Sequence, residues 1–203
     1  MAVDLADRIS AAPRSSFSGP GYRQLAPKYD PQRGEGARIH GGRFNSPESF
    51  PVLYLCSTPG CAAAEFMRYA EQHPLGPTGF LPRALYRYDV SLTSVLDLAD
   101  DETLEHLGVP ASQLVDDDRA LTQHIGELAH QFGFQAIFNG FATGVDTVLA
   151  VLIDNLRSGH LGYELESTWE TLDDVPSDIP AARPEMDLRT GSRSPRSQPP
   201  TSR

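Results

Sequence analysis

Basic side chains are scarce in this sequence, and lysine is nearly absent. Lysine and arginine together number 17 against 27 acidic residues, so that the formal net charge is −10, and Lys28 is the single lysine. Proteins that bind nucleic acids or anionic membranes through general electrostatics need a basic face that neutralises phosphates. We therefore expect neither a nucleic acid nor a membrane among the direct partners.

Metal ligands are few as well. Cys56 and Cys61 are five residues apart without a second ligand pair beside them, and the six histidines are scattered without an HExxH motif. Zinc sites need ligand pairs at characteristic spacings. We therefore expect no bound metal, and we expect both cysteines to be buried, reduced thiols.

Long apolar runs and the common nucleotide-binding signatures are also missing. No stretch approaches the ~20 apolar residues that span a bilayer, and no signal-peptide core is present near the N-terminus, which predicts a cytoplasmic protein. After Gly34 and Gly36, Ile39 occupies the position of the third glycine of GxGxxG. A P-loop fails because Gly42 stands where its lysine is needed. A GxSxG elbow is absent too, so the usual nucleotide-binding and hydrolase folds are excluded.

What remains is the pattern of a mixed α/β chain with short strands flanked by helices. Short apolar or alternating runs predict strands, whereas apolar residues at every third or fourth position predict helices. The elements do not repeat as regular βαβ units, so the predicted class is α+β. Strands are expected at 37–45, 51–56, 84–90, 95–98, 136–138 and 147–153, and helices at 59–73, 102–107 and 118–132.

Composition divides the chain into three parts. Residues 1–20 are small and polar and predict a flexible arm, residues 21–172 predict one compact domain, and residues 173–203, rich in Pro, Ser and Arg, predict a disordered tail. Residues 188–203 hold four arginines and no acid, so residues 1–187 carry 13 basic and 27 acidic side chains, a net charge of −14. An anion bound by this acidic domain must be met by a few well-placed arginines.

Chemically versatile side chains concentrate in the first half of the domain. Arg23 lies near its start, Arg43 and Asn45 lie in the segment Gly-Gly-Arg-Phe-Asn, Tyr54 lies in an apolar strand, and Glu65 lies on the next helix. Each residue also has an ordinary structural explanation as a solvated cation, a core aromatic or an exposed helical acid. The residue types alone do not decide between the two interpretations.

As a group, these segments resemble the RES domain, a family named for its Arg, Glu and Ser residues. The resemblance starts at Gly-Tyr-Arg from residue 21 and continues through Gly-Gly-Arg-Phe-Asn, Pro-Val-Leu-Tyr-Leu and Ala-Ala-Ala-Glu, which ends at residue 65. It includes Gly-Phe-Gln-Ala-Ile from residue 133 and Ala-Thr-Gly-Val-Asp from residue 142, and it covers roughly residues 21–160. This combination is a fairly specific signature of the family.

The resemblance implies a fold like that of ADP-ribosyltransferases and the role of a toxin in a bacterial RES–Xre toxin–antitoxin pair. Such toxins bind NAD⁺ and degrade it by phosphorolysis or hydrolysis of the nicotinamide–ribose bond, with inorganic phosphate as a candidate co-substrate. By resemblance, Arg23, Arg43, Asn45 and Tyr54 contact NAD⁺, and Glu65, Tyr54 and Arg43 act in catalysis. The implied partner is an Xre-type antitoxin with a helix-turn-helix DNA-binding domain, in an oligomer with the toxin.

These residue types suit NAD⁺ chemistry on general grounds. Guanidinium groups bind a pyrophosphate through paired N–H donors, which an ammonium group lacks. Departure of nicotinamide leaves an oxocarbenium-like ribose, and a carboxylate such as that of Glu65 can bind a ribose hydroxyl and stabilise the developing charge. The ring of Tyr54 can stack on nicotinamide.

One position departs from the family pattern. Without gaps, Phe141 falls where the family has its serine, and a phenylalanine side chain neither donates nor accepts a hydrogen bond. Asn139 or Thr143 could supply the polar group if the loop shifts. Two alternatives to NAD⁺ degradation therefore stay open: transfer of ADP-ribose to a protein, and a catalytically degenerate domain that binds only a nucleotide or the antitoxin.

Overall fold

Seven strands form one sheet, accompanied by five α-helices, in the computed structural model of the chain, which describes residues 4–140, 148–177 and 188–190. This architecture confirms the expected α+β class. The helices are α1 (Leu5–Ala11), α2 (Glu35–His40), α3 (Pro59–Glu71), α4 (Asp101–Leu107) and α5 (Ala120–Gln131). The strands are β1 (Ser15–Leu25), β2 (Val52–Cys56), β3 (Arg83–Asp97), β4 (Ala136–Asn139), β5 (Val148–Leu152), β6 (Leu161–Trp169) and β7 (Leu188–Thr190).

The sheet closes on itself because β1 pairs with strands at two places in the order. The order is β6-β3-β4-β5-β2-β1-β7, and β1 also pairs with β3. Strands β3 and β4 are parallel, whereas β1 is antiparallel to both β2 and β3. Strand β1 lies against β3 from Ser15 to Leu25 but meets β2 only at the register pair Tyr22 and Cys56. The closed circuit is therefore held together between β1 and β2 by a single register pair.

Three apolar clusters form the core. The largest contains buried residues of α1, α4 and α5, the second contains residues of the strands, and the third lies beneath α3. In the third cluster the rings of Phe66 and Trp169 lie 5.9 Å apart between centroids. The predicted apolar face of α3 is confirmed, since its alanines at 62, 63 and 70 are buried with Phe66.

Most of the predicted elements appear close to their expected bounds, with one clear exception. The segment 37–45, expected to be extended, contains the end of helix α2, which ends before Gly41, and an isolated bridge between Gly42 and Asn45. The prediction was wrong because α2 has only six residues and buries none of them, so it leaves no apolar periodicity in the sequence. The two runs expected at 84–90 and 95–98 belong to the one long strand β3.

The N-terminal segment is also more ordered than expected. Residues 4–20, predicted to belong to a flexible arm, contain α1 and the first half of β1. Ile9 and Ala12 are buried in the largest core cluster, and Arg8 Nη1 donates a hydrogen bond to the Leu107 carbonyl at 3.0 Å. Of the predicted tail, residues 188–190 pair with β1 as β7, and residues 178–187 and 191–203 lie outside the described residues.

The structure also bears on the expectations about the cysteines, metal ligands and membrane-spanning segments. Cys56 and Cys61 are both buried. Among the described residues, no group of three or more His, Cys, Asp or Glu side chains could hold a metal ion. No helix within the described ranges is both long and apolar enough to cross a membrane.

Candidate active site

A cleft of about 730 Å³ opens beside the register pair that joins β1 to β2. Its walls come from β1, β2, α3, the segment between α2 and β2, and the segment that precedes α5. Arg23, Arg43, Tyr54 and Glu65 all line it. The fold thus brings four of the five predicted site residues into one cavity, of a size that suits a small-molecule ligand.

Helix α3 presents Glu65 to the cleft. The helix begins after Thr58, whose side-chain oxygen accepts a hydrogen bond from the Cys61 N–H at 3.1 Å, and Pro59 takes the first position. Its apolar face packs into the core, which leaves Glu65 and Arg68 on the cleft side. Arg68 Nη2 lies 2.5 Å from Glu65 Oε2, and 34% of the Glu65 side chain is exposed. The carboxylate is therefore oriented by its neighbour one turn along the helix and still open to a ligand.

Strand β1 contributes Arg23, whose guanidinium is incompletely satisfied. The residue is opposite Tyr86 of β3, and the side chain lines the cleft. Its Nη1 is buried and has no hydrogen-bond partner among the described residues. Leaving a buried, charged donor unpaired is costly, so such groups usually have a partner. An anionic ligand in the cleft is the natural partner for this nitrogen.

Arg43 is held by backbone carbonyls. Its Nη1 donates to the carbonyl oxygens of Leu114 and Asp116 at 2.8 and 3.0 Å. Burial lowers the pKa of Arg43, and the neighbouring Arg119 guanidinium lowers it further. An arginine stays protonated in spite of such a shift, so the effect of this environment is an oriented, partly desolvated cation at the cleft wall.

The Tyr54 hydroxyl is fully engaged within the protein. It accepts a hydrogen bond from the Phe44 N–H at 2.9 Å and donates one to Asn45 Oδ1 at 2.8 Å. Burial raises the pKa of Tyr54, so the hydroxyl is a neutral donor at physiological pH. A side chain at Gly42 would place its Cβ 2.4 Å from this hydroxyl, which explains the glycine there. Tyr54 thus ties the Gly-Gly-Arg-Phe-Asn segment to β2.

Asn45 lies behind the cleft rather than on its surface. It is fully buried at 0% exposure, and its Nδ2 donates to the Ala37 carbonyl at 2.7 Å. With its Oδ1 bound to Tyr54, the amide fixes the loop and presents no group to a ligand. The structure therefore does not bring Asn45 to the predicted contact surface, although it links Asn45 directly to a residue that is there.

Helix α5 holds the same segment from the opposite direction. Gln123 Nε2 donates to the Gly42 carbonyl at 3.0 Å. The helix also approaches so closely at Gly126 that a Cβ there would lie 1.8 Å from the Phe44 carbonyl oxygen. Both contacts fix the backbone on which Arg43 stands, so the position of Arg43 depends on α5 as well as on β2.

Several cleft residues were missed by sequence reasoning. Arg68 carried a signal, since it lies one helical turn after Glu65 on the same face. Arg119 and Asp117 carried none, because they precede α5 and reach the cleft only through the packing of that helix. Tyr69, 55% exposed, completes the rim of the cleft and contacts the rings of His73 and Phe80 at centroid distances of 4.6 and 5.5 Å.

The position that departs from the family serine is not described by the structure. Phe141 and Thr143 lie in the segment 141–147, outside the described residues. Asn139, the other candidate substitute for the serine, is fully buried at the end of β4. Neither polar atom of its amide has a hydrogen-bond partner within the ranges that the structure describes.

Comparison with curated proteins identifies relatives that cover most of the chain. The NAD(+) phosphorylase MbcT of Mycobacterium tuberculosis is 31% identical over 159 residues, which are 77% of this chain and 86% of MbcT. The probable NAD(+) phosphorylase Rv3189 of the same organism is 32% identical over 141 residues, 66% of this chain and 64% of that protein.

A comparison with solved structures and a comparison with family models both agree with these sequence relatives. The crystal structure of the M. tuberculosis MbcT–MbcA toxin–antitoxin complex contains a chain that superposes with a TM-score of 0.67 at 29% sequence identity, covering 82% of this chain and 91% of that chain. The family model of the RES domain matches residues 14–140, which include all the cleft residues named above. This chain is therefore a member of the RES domain family.

Proposed function

We propose that this protein is an NAD⁺-degrading toxin that cleaves the nicotinamide–ribose bond with inorganic phosphate as the acceptor. One observation carries the proposal: Arg23, with a buried nitrogen that has no partner in the part of the chain that the structure describes, shares one cleft with the accessible carboxylate of Glu65. The curated relatives, named as NAD(+) phosphorylases, support the choice of substrate and acceptor.

Arg23 is the proposed ligand of the NAD⁺ pyrophosphate. A pyrophosphate offers several oxygens to a guanidinium, and a charge-assisted hydrogen bond to one of them would satisfy the buried Nη1. The domain is acidic overall, so its general field does not attract this anion. The affinity must then come from local contacts such as this one.

Glu65 is proposed to act at the ribose. As the C–N bond breaks, its electron pair leaves with neutral nicotinamide, and positive charge develops on the anomeric carbon and ring oxygen. A carboxylate bound to a ribose hydroxyl stabilises this charge. A phosphate oxygen then bonds to the anomeric carbon, which gives ADP-ribose 1″-phosphate and nicotinamide. Arg68 positions the carboxylate through the ion pair on α3.

Tyr54 and Arg43 are proposed to act in binding. The ring of Tyr54 lines the cleft and offers a face on which nicotinamide can stack, while its hydroxyl holds the loop that carries Arg43. Asn45 contributes through that same hydroxyl. Its predicted contact with NAD⁺ is thus replaced in this proposal by a positioning role.

The test compares two glutamates of helix α3 in the purified protein. We expect Glu65→Gln to slow nicotinamide release by about 10²-fold or more, because it removes charge stabilisation from the transition state. Glu71→Gln is the matched control, since Glu71 is exposed on the same helix and does not line the cleft. Nicotinamide is quantified by chromatography, and circular dichroism verifies that both variants fold.

Mass spectrometry of the products separates the candidate reactions. With NAD⁺ and phosphate, we expect ADP-ribose 1″-phosphate, and formation of free ADP-ribose alone would mean hydrolysis. Label from NAD⁺ that appears on a protein after incubation with lysate would instead indicate protein ADP-ribosylation. Absence of turnover in the wild type would favour a degenerate domain and contradict the proposal.

A protein partner completes the proposal. The structural neighbour is a toxin in complex with its antitoxin MbcA. We expect this chain to bind an antitoxin of Xre type with a helix-turn-helix domain, in an oligomeric complex, and to act on cytoplasmic NAD⁺. Expression without the antitoxin should stop growth and deplete NAD⁺, whereas expression of Glu65→Gln should do neither.

A further inference from the structure

The arginines of the cleft fall into two groups. Arg23 stands on β1 beside Gln24, whose Oε1 accepts a hydrogen bond from Arg83 Nε at 2.6 Å. The second group consists of Arg43, Arg68 and Arg119, which come from three different segments of the chain. The members of the second group are close enough to affect one another. The pKa of Arg43 is lowered mainly by burial, and the guanidinium groups of Arg119 and Arg68 lower it further.

Positive charge exceeds negative charge in the second group. Its acidic neighbours along the cleft are Glu65, which is paired with Arg68, and Asp117. Within the described part of the chain, no carboxylate lies within 4.0 Å of the guanidinium of Arg43 or of Arg119. Arg43 is half-buried and Arg119 is exposed at the cleft wall, and their like charges repel each other, so a bound anion would offset that repulsion.

The guanidinium groups retain donors for such an anion. In Arg43 the hydrogen bonds to the Leu114 and Asp116 carbonyls occupy Nη1 and fix the plane of the group. Among the described residues, Nη2 and Nε of Arg43 and the whole Arg119 guanidinium have no hydrogen-bond acceptor. Paired guanidinium donors match the oxygens of a phosphate in both charge and geometry.

The second group also adjoins the proposed reacting centre. Arg68 contacts Glu65, the carboxylate assigned to the ribose, at 2.5 Å. Arg68 also lines the cleft with Arg43, whose pKa its guanidinium lowers, so an anion held between Arg43 and Arg119 would lie on the side of the cleft that carries Arg68 and Glu65. Arg23 lies on strand β1, apart from these three segments, and is left for the pyrophosphate, so the two groups match the two anions that phosphorolysis requires.

We infer that Arg119, together with Arg43, forms the subsite for the acceptor, inorganic phosphate. The inference rests on the proposed function. In the step, a phosphate oxygen forms a bond to the anomeric carbon while the bond to nicotinamide breaks, and the electron pair of that bond neutralises the pyridinium nitrogen. Arg119 binds and orients the phosphate, which compensates for repulsion between this anion and the carboxylate of Glu65.

Steady-state kinetics of the full-length protein test the assignment. We expect Arg119→Gln to raise the KM for phosphate at saturating NAD⁺ by about tenfold or more, and to change the KM for NAD⁺ by less than about twofold. Arg119→Lys keeps the positive charge but loses the paired N–H donors of the guanidinium, so we expect a KM for phosphate between those of the wild type and Arg119→Gln. Arg157→Gln is the control, because Arg157 is exposed and does not line the cleft.

The other outcomes overturn the assignment. A raised KM for NAD⁺ with an unchanged KM for phosphate would mean that Arg119 binds the pyrophosphate. Unchanged values for both substrates would mean that Arg119 binds neither anion. Calorimetric titration of inorganic phosphate into wild type and Arg119→Gln does not depend on turnover. If the wild type fails to cleave NAD⁺ yet binds phosphate through Arg119, the proposed function fails and the anion site stands; equal binding by both proteins rejects the site.

Discussion

At the scale of single residues, the hydroxyl of Tyr54 has an unexpected place in the site. A tyrosine beside a reactive sugar suggests a group that touches the substrate, but this hydroxyl already has one donor and one acceptor within the protein. Its partners belong to the segment that carries Arg43. The ring and the hydroxyl therefore serve different purposes: the ring lines the cleft, and the hydroxyl determines where the arginine stands.

Tyr54→Phe separates these two purposes. The variant keeps the ring but removes the partner of the Phe44 N–H and of the buried Asn45 Oδ1, so we expect the free energy of unfolding to fall by about 1–3 kcal/mol. We also expect kcat to fall, because Arg43 loses its support. Chemical denaturation and nicotinamide release measure the two effects. Tyr29→Phe is the control, since Tyr29 is 58% exposed and lies outside the cleft.

A double-mutant cycle gives that prediction a sharper readout. Because Tyr54 and Asn45 share a hydrogen bond at 2.8 Å, the losses of stability in Tyr54→Phe and Asn45→Ala should not add when combined. Fully additive losses would contradict the proposed link. Burial raises the pKa of the Tyr54 hydroxyl above its ordinary value near 10, so ionisation of this group should not limit activity between pH 7 and pH 9.

At the scale of elements, helix α1 shows how a short segment gains its structure from packing. Its seven residues are too few for a stable isolated helix, so composition predicted a flexible arm. The helix persists because Ile9 is buried among residues of α4 and α5. Arg8 Nη1 adds a hydrogen bond to the carbonyl of Leu107, the last residue of α4.

Ile9→Ala tests whether α1 is part of the domain. We expect a loss of about 2–5 kcal/mol in the free energy of unfolding, as for other buried isoleucines that are truncated to alanine. Ile39→Ala is the matched control, because Ile39 also lies on a short helix but is 49% exposed. Similar losses for the two variants would contradict the burial of α1, and thermal or urea denaturation provides the measurement.

Strand β1 was not predicted from the sequence because it contains residues that usually interrupt strands. It contains the sequence Gly-Pro-Gly at residues 19–21 and was assigned in part to the arm. The strand tolerates Pro20 because β3 covers one edge there, while β2 reaches β1 only at Tyr22 and β7 only at residues 15–17. A proline is compatible with a strand where one edge is unpaired.

At the scale of the whole molecule, the net charge of the protein is negative, like that of the pyrophosphate of the proposed ligand. The first 187 residues carry 13 basic and 27 acidic side chains, yet four of those 13 cations line the cleft: Arg23, Arg43, Arg68 and Arg119. Since exposed charges are screened over about 10 Å at 0.1 M salt, the local arginines dominate the potential within the cleft. An acidic protein can therefore bind an anion in this cleft, because the arginines that line it lie closer to the ligand than the acidic groups of the outer surface do.

Truncation of the basic tail tests that conclusion. A chain that ends after Thr190 keeps β7 and removes Arg193, Arg196 and Arg203. In the Glu65→Gln background, which avoids turnover, we expect the Kd for NAD⁺ to change by less than about twofold, because screening limits the reach of charges outside the cleft. Arg23→Gln should weaken binding by about tenfold or more, since it removes a charge-assisted hydrogen bond. Equal losses in both proteins would show that the tail contributes to the site.

Local patterns in the chain were sufficient for much of this description. Helix α3 and strands β2, β4 and β5 were predictable because each has a strong apolar pattern bounded by proline, glycine or a capping residue. Arg23, Arg43, Tyr54 and Glu65 could be chosen because they lie in short segments that resemble a known family. Weakly patterned segments could not be predicted: α1 is stabilised by contacts with distant helices, and α2 buries none of its six residues and so leaves no apolar periodicity.

Only the folded chain shows which of these residues share a surface and which support it. Asn45 and Tyr54 are nine residues apart, but closure of the loop turns one inward and leaves the other at the cleft. Arg119 is far from Arg43 in sequence and reaches the same cavity because α5 packs against the Gly-Gly-Arg-Phe-Asn segment at Gly126. Sequence patterns record the local preferences of the backbone and the chemistry of each side chain. The direction in which a side chain points, and the charges that gather around a ligand, depend on long-range packing that no local pattern contains.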